Sequence, residues 1–338
     1  MNRALAKKVA DAVLYEGYML YPYRPSALKN RQRWTFGILY PPAYHEVHEG
    51  TERASMHSEC LLKANAGASI QIQLRFLHLL SRQVARASDS SFESVPWLLV
   101  DGQRVESWDE GVERVVEFEA PLQDDKPRRM GFSFHGSNEV DRLQTRSGES
   151  VGTVTRLQNE IYGTLSAVSR NVGDSVRKLT IDVSNATDLS ETTDRDRALL
   201  RSMLSAHMIL SVASGEFISL LDPPIELREL AGHCSNVGNF PVMIGKEGER
   251  DGMLCSPIVL YDYPQIAPES GGDFYDATEM DEMLTLRVMT LTDEEKSEML
   301  LADDHARRLL QRTEETAREQ LAKTHGAIRS MRPVIEET

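Results

Sequence analysis

The chain is poor in cysteine, has no long apolar run and is short of positive charge. Its 338 residues include three cysteines, Cys60, Cys234 and Cys255, too few and too scattered for a disulfide framework. That points to a reducing compartment, and a cytoplasmic location is expected. No stretch approaches the roughly 18 consecutive apolar residues of a membrane helix. Residues 1–14 lack the continuous apolar segment and cleavage site of a signal peptide. Without a secretory route, the glycosylation pattern Asn185-Ala186-Thr187 is read as chance. Lys and Arg number 38 against 52 Asp and Glu, a net charge of −14. This argues against nucleic-acid binding, which needs a basic footprint. Catalytic signatures are also missing. There is no G-x-S-x-G, and Gly245-Lys246 lacks the upstream Gly and the Ser/Thr of a phosphate loop.

What is present is globular. A hydrophobic share of 41% with 27% charged residues permits a sizeable core. One stretch stands apart, Leu14–Pro42. It holds Tyr15, Tyr18, Tyr21, Tyr23, Trp34, Phe36 and Tyr40, interleaved with Arg24, Lys29, Arg31 and Arg33. Residues 1–42 carry seven Lys/Arg against two acids, whereas residues 269–304 carry twelve acids against two bases. Tyr, Trp and Arg are the usual anchors of docking faces. Tyr21, Tyr23, Arg24, Arg31, Arg33 and Trp34 are therefore the expected partner-binding residues. The partner is either another chain or this chain's own acidic segment.

The periodicities predict a mainly β (α+β) protein. Residues 3–14 read as a short helix. Met56–Lys63 and Ser69–Leu80 read as a strand pair, the second with Ile70, Ile72, Leu74 and Phe76 alternating with polar residues. Further strands are expected at Trp34–Tyr40, Trp97–Val100, Val112–Phe118 and Met130–Phe134, and residues 43–52 read as loop. Ile161–Val168 and Val176–Val183 flank a hairpin turn at residues 171–174. Later strands are expected at His207–Val212, Glu216–Leu221, Phe240–Ile244 and Ile258–Tyr263, with a short helix opened by Pro223-Pro224. Thr292-x-x-Glu295 is a capping box that opens a helix to about Leu301. The expected organisation is a β-rich N-terminal domain over 1–145, a β-sandwich-like domain over 146–268, and an acidic loop with a helical arm over 269–338.

Two sets of residues invite chemistry. His45, His48, His57 and Cys60 have the spacing of a zinc ligand set, so a bound metal ion is the one cofactor to consider. Against it, His45-Glu46-Val47-His48 lacks the helical i, i+4 spacing of a metalloprotease, and on a strand His57 and Cys60 would face opposite ways. The acidic run Glu269–Glu282 does not fit the EF-hand pattern. His233-Cys234 is a second Cys–His candidate, though sequence neighbours seldom meet as a catalytic pair.

Four stretches carry a family resemblance: residues 14–37, EFISLLDPP over Glu216–Pro224, IVLYDYPQIAP over Ile258–Pro268, and residues 278–296. Together they resemble a bacterial family of no assigned activity that is often encoded beside NiFe-hydrogenase genes in actinobacteria and other soil bacteria. The resemblance implies an accessory role around hydrogenase assembly and a hydrogenase component as protein partner. It transfers no catalytic residue. The expected function is a non-enzymatic accessory or scaffold protein. The alternatives are a metal-binding protein or metal-dependent enzyme using the His/Cys cluster, and a self-assembling homo-oligomer.

Overall fold

The protein is mainly β, built on one unusually long strand. The computed structural model describes residues 3–16, 18, 33–88, 91–173, 175–189, 194–265, 288–302, 306–311 and 313. Strand β1 runs from Ser55 to Ala87. Along it, in antiparallel register, lie β2 (Phe92–Val95), β5 (Trp108–Pro121), β8 (Ser150–Gln158), β10 (Val176–Asn185) and β11 (Leu204–Ile218). β9 (Ile161–Gly173) and β6 (Arg128–Phe134) extend the sheet beyond β10, and β7 (Ser137–Gln144) adds to β8. β13 (Gly252–Ser256) and β12 (Phe240–Met243) extend it beyond β11. β3 (Trp97–Val100) and β4 (Gln103–Glu106) form a separate hairpin. Its Asp101-Gly102 turn places both residues in the left-handed region, as a two-residue hairpin loop requires.

The core follows from β1. Its even-numbered residues Cys60, Leu62, Ile70, Ile72, Leu74 and Phe76 share one buried cluster with residues of the strands around it, among them Leu165, Leu179, Ile181, Met208 and Leu210. Phe132 and Phe134 of β6 pack against that cluster, with Phe134 edge-on to Phe76 at 5.7 Å. Burying each such side chain stabilises the fold by about 1.5–3 kcal/mol. On the opposite face, Leu77 and Leu79 enter a second cluster, so the Phe76–Leu80 stretch is apolar on both sides. Helix α1 (Arg3–Tyr15) lays Ala6, Val9, Ala10 and Val13 on Ile209, Val242, Ile244 and Leu254.

Arg75 projects from β1 and is 1% exposed. Its Nη2 donates to Asp11 Oδ1 of α1 at 2.5 Å and to Glu113 Oε1 of β5 at 2.6 Å. This ion network fastens α1 to the sheet.

Several expectations are corrected. The two halves read as a strand pair are one strand. The interruption near Gly67 is an irregularity against β11, whose own Ser214-Gly215 sits opposite it. His207–Val212 and Glu216–Leu221 likewise merge into β11. Residues 43–52 are not all loop, because Pro42 opens a short helix, α2 (Pro42–Val47). Trp34–Tyr40 makes only an isolated bridge, Leu39 to Met203. Ile258–Tyr263 is not a strand; β13 takes that place. Apart from these corrections, β1 is hydrogen-bonded to β5 ahead of residue 145 and to β10 and β11 beyond it.

The short helices are α3 (Arg195–Leu199), α4 (Arg228–Gly232) and α5 (Asp293–Ala302). The capping box of α5 is formed: Glu295 N donates to Thr292 Oγ1 at 3.2 Å and Thr292 N to Glu295 Oε2 at 3.0 Å.

Candidate functional site

The four zinc-spaced residues are held by four different sets of neighbours. His45 Nδ1 lies 2.6 Å from the Glu52 carbonyl. His48 stacks on Tyr44 at 4.2 Å and bonds its carbonyl. His57 Nδ1 pairs with Asp182 Oδ1 of β10 at 2.6 Å. Cys60 is buried in the main core, and burial pushes its thiol well above the usual range. Strand alternation thus sends His57 and Cys60 to opposite faces. Among the described residues, no three His, Cys, Asp or Glu side chains are grouped to hold a metal ion. Glu59, next in line, is committed elsewhere. Burial opposes its ionisation, but Lys178 at 2.8 Å and the Ser235 N–H hold its carboxyl below the ordinary range. Cys234 is not an activated nucleophile, since burial pushes its thiol up to about 11.

Of the aromatic-basic stretch, Tyr21, Tyr23, Arg24 and Arg31 lie outside the described residues. Arg33 and Trp34 are both buried. The Arg33 guanidinium lies 3.4 Å from the Trp108 ring centroid and 4.8 Å from that of Trp34, and donates to the carbonyls of Tyr18 and Asp109. Tyr18, Trp34, Tyr40 and Trp108 share a cluster with Val288, Leu291, Met299, Leu309 and Leu310 from the C-terminal helices. The N-terminal aromatics and the C-terminal arm therefore meet inside the chain through apolar packing. The acidic run Glu269–Glu282 also lies outside the described residues.

A groove of about 400 Å³ opens elsewhere, between the loop after β11 and the segment after β13. Lys63, Arg228, Arg250 and Ile225 line it, with Pro223 and Pro224 fixing one wall. Ile225 lines the groove and is 78% exposed; Leu221, Val259 and Tyr261, which are 60%, 75% and 61% exposed, lie on the same two segments outside its lining. The walls are rigidly tied. Asp262 accepts from the Met243 N–H at 2.8 Å and from Ser219 Oγ at 2.5 Å. Ser219 Oγ in turn accepts from the N–H groups of Leu221 and Asp222, and Tyr263 Oη donates to the Glu249 carbonyl. The exposed apolar side chains are held out on braced backbone.

Sequence reasoning missed this groove. The signal was available: Ile258-Val259-Leu260-Tyr261 is apolar at every position, more than a half-buried strand can cover. Ile258 and Leu260 pack against the α1 cluster, which leaves Val259 and Tyr261 outside. Two stretches that carry the family resemblance, EFISLLDPP and IVLYDYPQIAP, meet at this groove through the Ser219–Asp262 hydrogen bond.

No family model and no curated protein matches the chain. Among solved structures it is similar to the open-gate secretin InvG (residues 176 to its end) of the Salmonella SPI-1 type III secretion injectisome. That likeness has 12% identity over 71% of this chain and 67% of that one, with a TM-score of 0.15. At that score it carries no argument. No described helix is long and apolar enough to cross a membrane.

Proposed function

We propose that the protein is a non-enzymatic accessory or scaffold protein that binds a protein partner in the cytoplasm, with the groove between residues 216–225 and 258–263 as its docking face. The observation that carries this reading is the set of large apolar side chains, Leu221, Ile225, Val259 and Tyr261, exposed on hydrogen-bonded walls. Exposed apolar groups on a rigid frame are costly to leave in water. Because the walls are already ordered, a partner meets little of the entropic cost of arranging them. The lining carries three cations, Lys63, Arg228 and Arg250, and three carboxylates, Glu216, Asp222 and Asp262, so it offers a partner charged groups of both signs around the apolar side chains. The family resemblance makes a NiFe-hydrogenase component the first partner to test.

The test is capture of native partners on the full-length protein, compared with an Ile225→Asp, Tyr261→Ala variant. Both side chains are exposed, so the variant is expected to fold normally. Truncating an interface anchor costs about 2 kcal/mol or more, so recovery is expected to drop at least ten-fold. Equal recovery by the variant would remove the groove from the proposal. Recovery of a partner unrelated to hydrogenases would remove the partner assignment and leave the docking face standing.

A further inference from the structure

Strand β5 leaves one side of its backbone open. The Leu122 N–H bonds the Ala68 carbonyl at 3.0 Å, one step beyond the β1–β5 ladder, and so fixes the phase of that ladder. In an antiparallel pair, alternate residues bond the partner strand and those between them point away. Even-numbered residues of β5 therefore bond β1, and odd-numbered ones turn their N–H and C=O groups outward. Near the start of the strand these are taken: Arg33 Nη2 donates to the Asp109 carbonyl, and the Gly111 N–H donates to Tyr18 Oη at 3.1 Å. From Glu113 to Glu119 no described strand pairs with this side. The outward groups of Glu113, Val115, Glu117 and Glu119 bond nothing among the described residues. Such an edge is a ready template for another chain.

The side chains along this edge decide what can join it. Glu113, Val115, Glu117 and Glu119 share one face. A cavity of about 610 Å³ lies against that face, lined also by Gln71 and Gln73 of β1. Glu113 is held by Arg75. Glu117 accepts from the Gln73 amide at 3.1 Å, and Glu119 lies opposite Gln71 in register. Neither of these two carboxylates is ion-paired among the described residues. The cations that line the cavity are committed, Arg75 to Asp11 and Glu113, and Lys7 to Asp11. On the other face of β5, Val116 and Phe118 pack in the main core. A second copy of the chain is a poor occupant. Antiparallel pairing of this edge with itself about Val115 or Val116 sets Glu113 against Glu117 or Glu119, and like charges directly opposite destabilise a sheet.

We infer that the Glu113–Glu119 edge of β5 accepts an added strand from a partner protein, an extended segment that alternates Lys or Arg with apolar residues. The open N–H and C=O groups supply the ladder, and every second side chain of the added strand falls on the glutamate face. There its cations meet Glu117 and Glu119, and the cavity gives their long stems room beside Val115. The intervening side chains fall on the side of Val116 and Phe118, where apolar groups fit. Neutral and acidic strands gain no such pairing. This edge is separate from the docking groove, and neither proposal depends on the other.

The test titrates the full-length protein against a labelled peptide of alternating Lys and Val that begins and ends with Lys, read by fluorescence anisotropy. Saturable binding is expected, and affinity should fall as salt rises. The double variant Glu117→Gln, Glu119→Gln is expected to weaken it about five-fold, the sum of two cross-strand charge pairs. Residues directly opposite the outward groups of β5 carry the Lys side chains, so the Lys N–H groups make the ladder. N-methylation of the Lys residues is expected to cost about ten-fold or more, and N-methylation of the Val residues to be tolerated. Both glutamates are exposed, and the methylated peptides leave the protein unaltered, so the test does not rest on a variant that misfolds. Amide hydrogen exchange should slow at Glu113, Val115, Glu117 and Glu119 and stay unchanged at Arg114, Val116 and Phe118. Absence of saturable binding up to about 1 mM overturns the proposal. So does unchanged affinity in the double variant, or equal binding of the two methylated peptides. Spermine binding as tightly as the Lys-Val peptide would overturn it too, in favour of an acidic face that attracts any polycation.

Discussion

Arg75→Ala is expected to cost about 3–5 kcal/mol of folding stability, the range for breaking a buried ion network by removing one partner. Among the described residues Arg75 is the largest fully buried side chain, and it holds two carboxylates from different elements. Without it, Glu113 loses this cation and Asp11 keeps only the partly exposed Lys7 at 2.8 Å. The side chains of both keep some solvent contact, 28% and 34% exposed, which places the loss toward the lower end. Denaturant unfolding gives the magnitude, and protease cleavage ahead of Tyr15 reports whether α1 detaches. Adding Asp11→Asn and Glu113→Gln to Arg75→Ala is expected to recover part of the loss, because no carboxylate is then left short of its cation. A loss below about 1 kcal/mol, the level of an exposed pair, would mean the network is dispensable.

The second large effect is on pH dependence. His207 and His78 are both buried, and burial, with Arg75 and Arg114 respectively as further causes, pulls each down to about 4. A histidine held neutral contributes stability that is present above its unfolded value near 6.5 and lost as pH falls toward 4. Glu106 runs the other way. Burial raises its carboxyl to about 7, with Glu298 of α5 adding to the rise and Arg104 and Arg82 opposing it. Its contribution is fully present below its unfolded value near 4.5 and is lost as pH rises through 7.

Between pH 4.5 and 6.5 two histidines outweigh one carboxyl. Stability should therefore rise with pH by about 1.4 kcal/mol per unit, the slope of one net proton, and peak near pH 6.5. Glu106→Gln isolates the opposing group. Its stability relative to the native chain should increase by roughly 2 kcal/mol between pH 5 and pH 8, after allowance for solvent screening. Urea midpoints across that range provide the measurement. A Glu106→Gln difference that stays constant with pH would show that Glu106 is already ionised in the folded state across that range. Glu106 lies on β4, Glu298 on α5, and Arg82 of β1 donates to the Leu301 carbonyl, so its ionisation should also loosen the C-terminal helices.

What could be read from the sequence was what local rules decide. The α1 helix and the Thr292 capping box each depend on neighbours within a few residues, and each is found in place, whereas the hairpin expected to turn at residues 171–174 forms between β9 and β10 with residues 171–173 still in β9. Long-range pairing was not legible. The small polar run around Gly67 and the Ser214-Gly215 pair each look like a turn between two strands. They lie opposite each other on the same ladder, and two interruptions that coincide become one tolerated irregularity in a pair of long strands. Nothing in either segment alone reveals the other.

The candidate sites divide along the same line. Arg33 and Trp34 were picked out by composition, but their burial depends on Trp108 and on helices more than 250 residues away. His57 and Cys60 could be separated on paper by strand alternation, which is a local rule. The groove needed Ser219 to meet Asp262, 43 positions apart.

The reach of β1 also sets a timetable for biosynthesis. The strand is complete at Ala87, yet two of its neighbours, β10 and β11, end at Asn185 and Ile218. At about 5–20 residues per second, the ribosome takes on the order of ten seconds to deliver them. Throughout that interval Leu62, Ile70, Ile72 and Leu74 wait beside unpaired backbone, the arrangement that recruits foreign strands. A nascent chain of this design depends on holdase chaperones or slow, cool expression. Any truncation that stops before Ile218 should accumulate as aggregate.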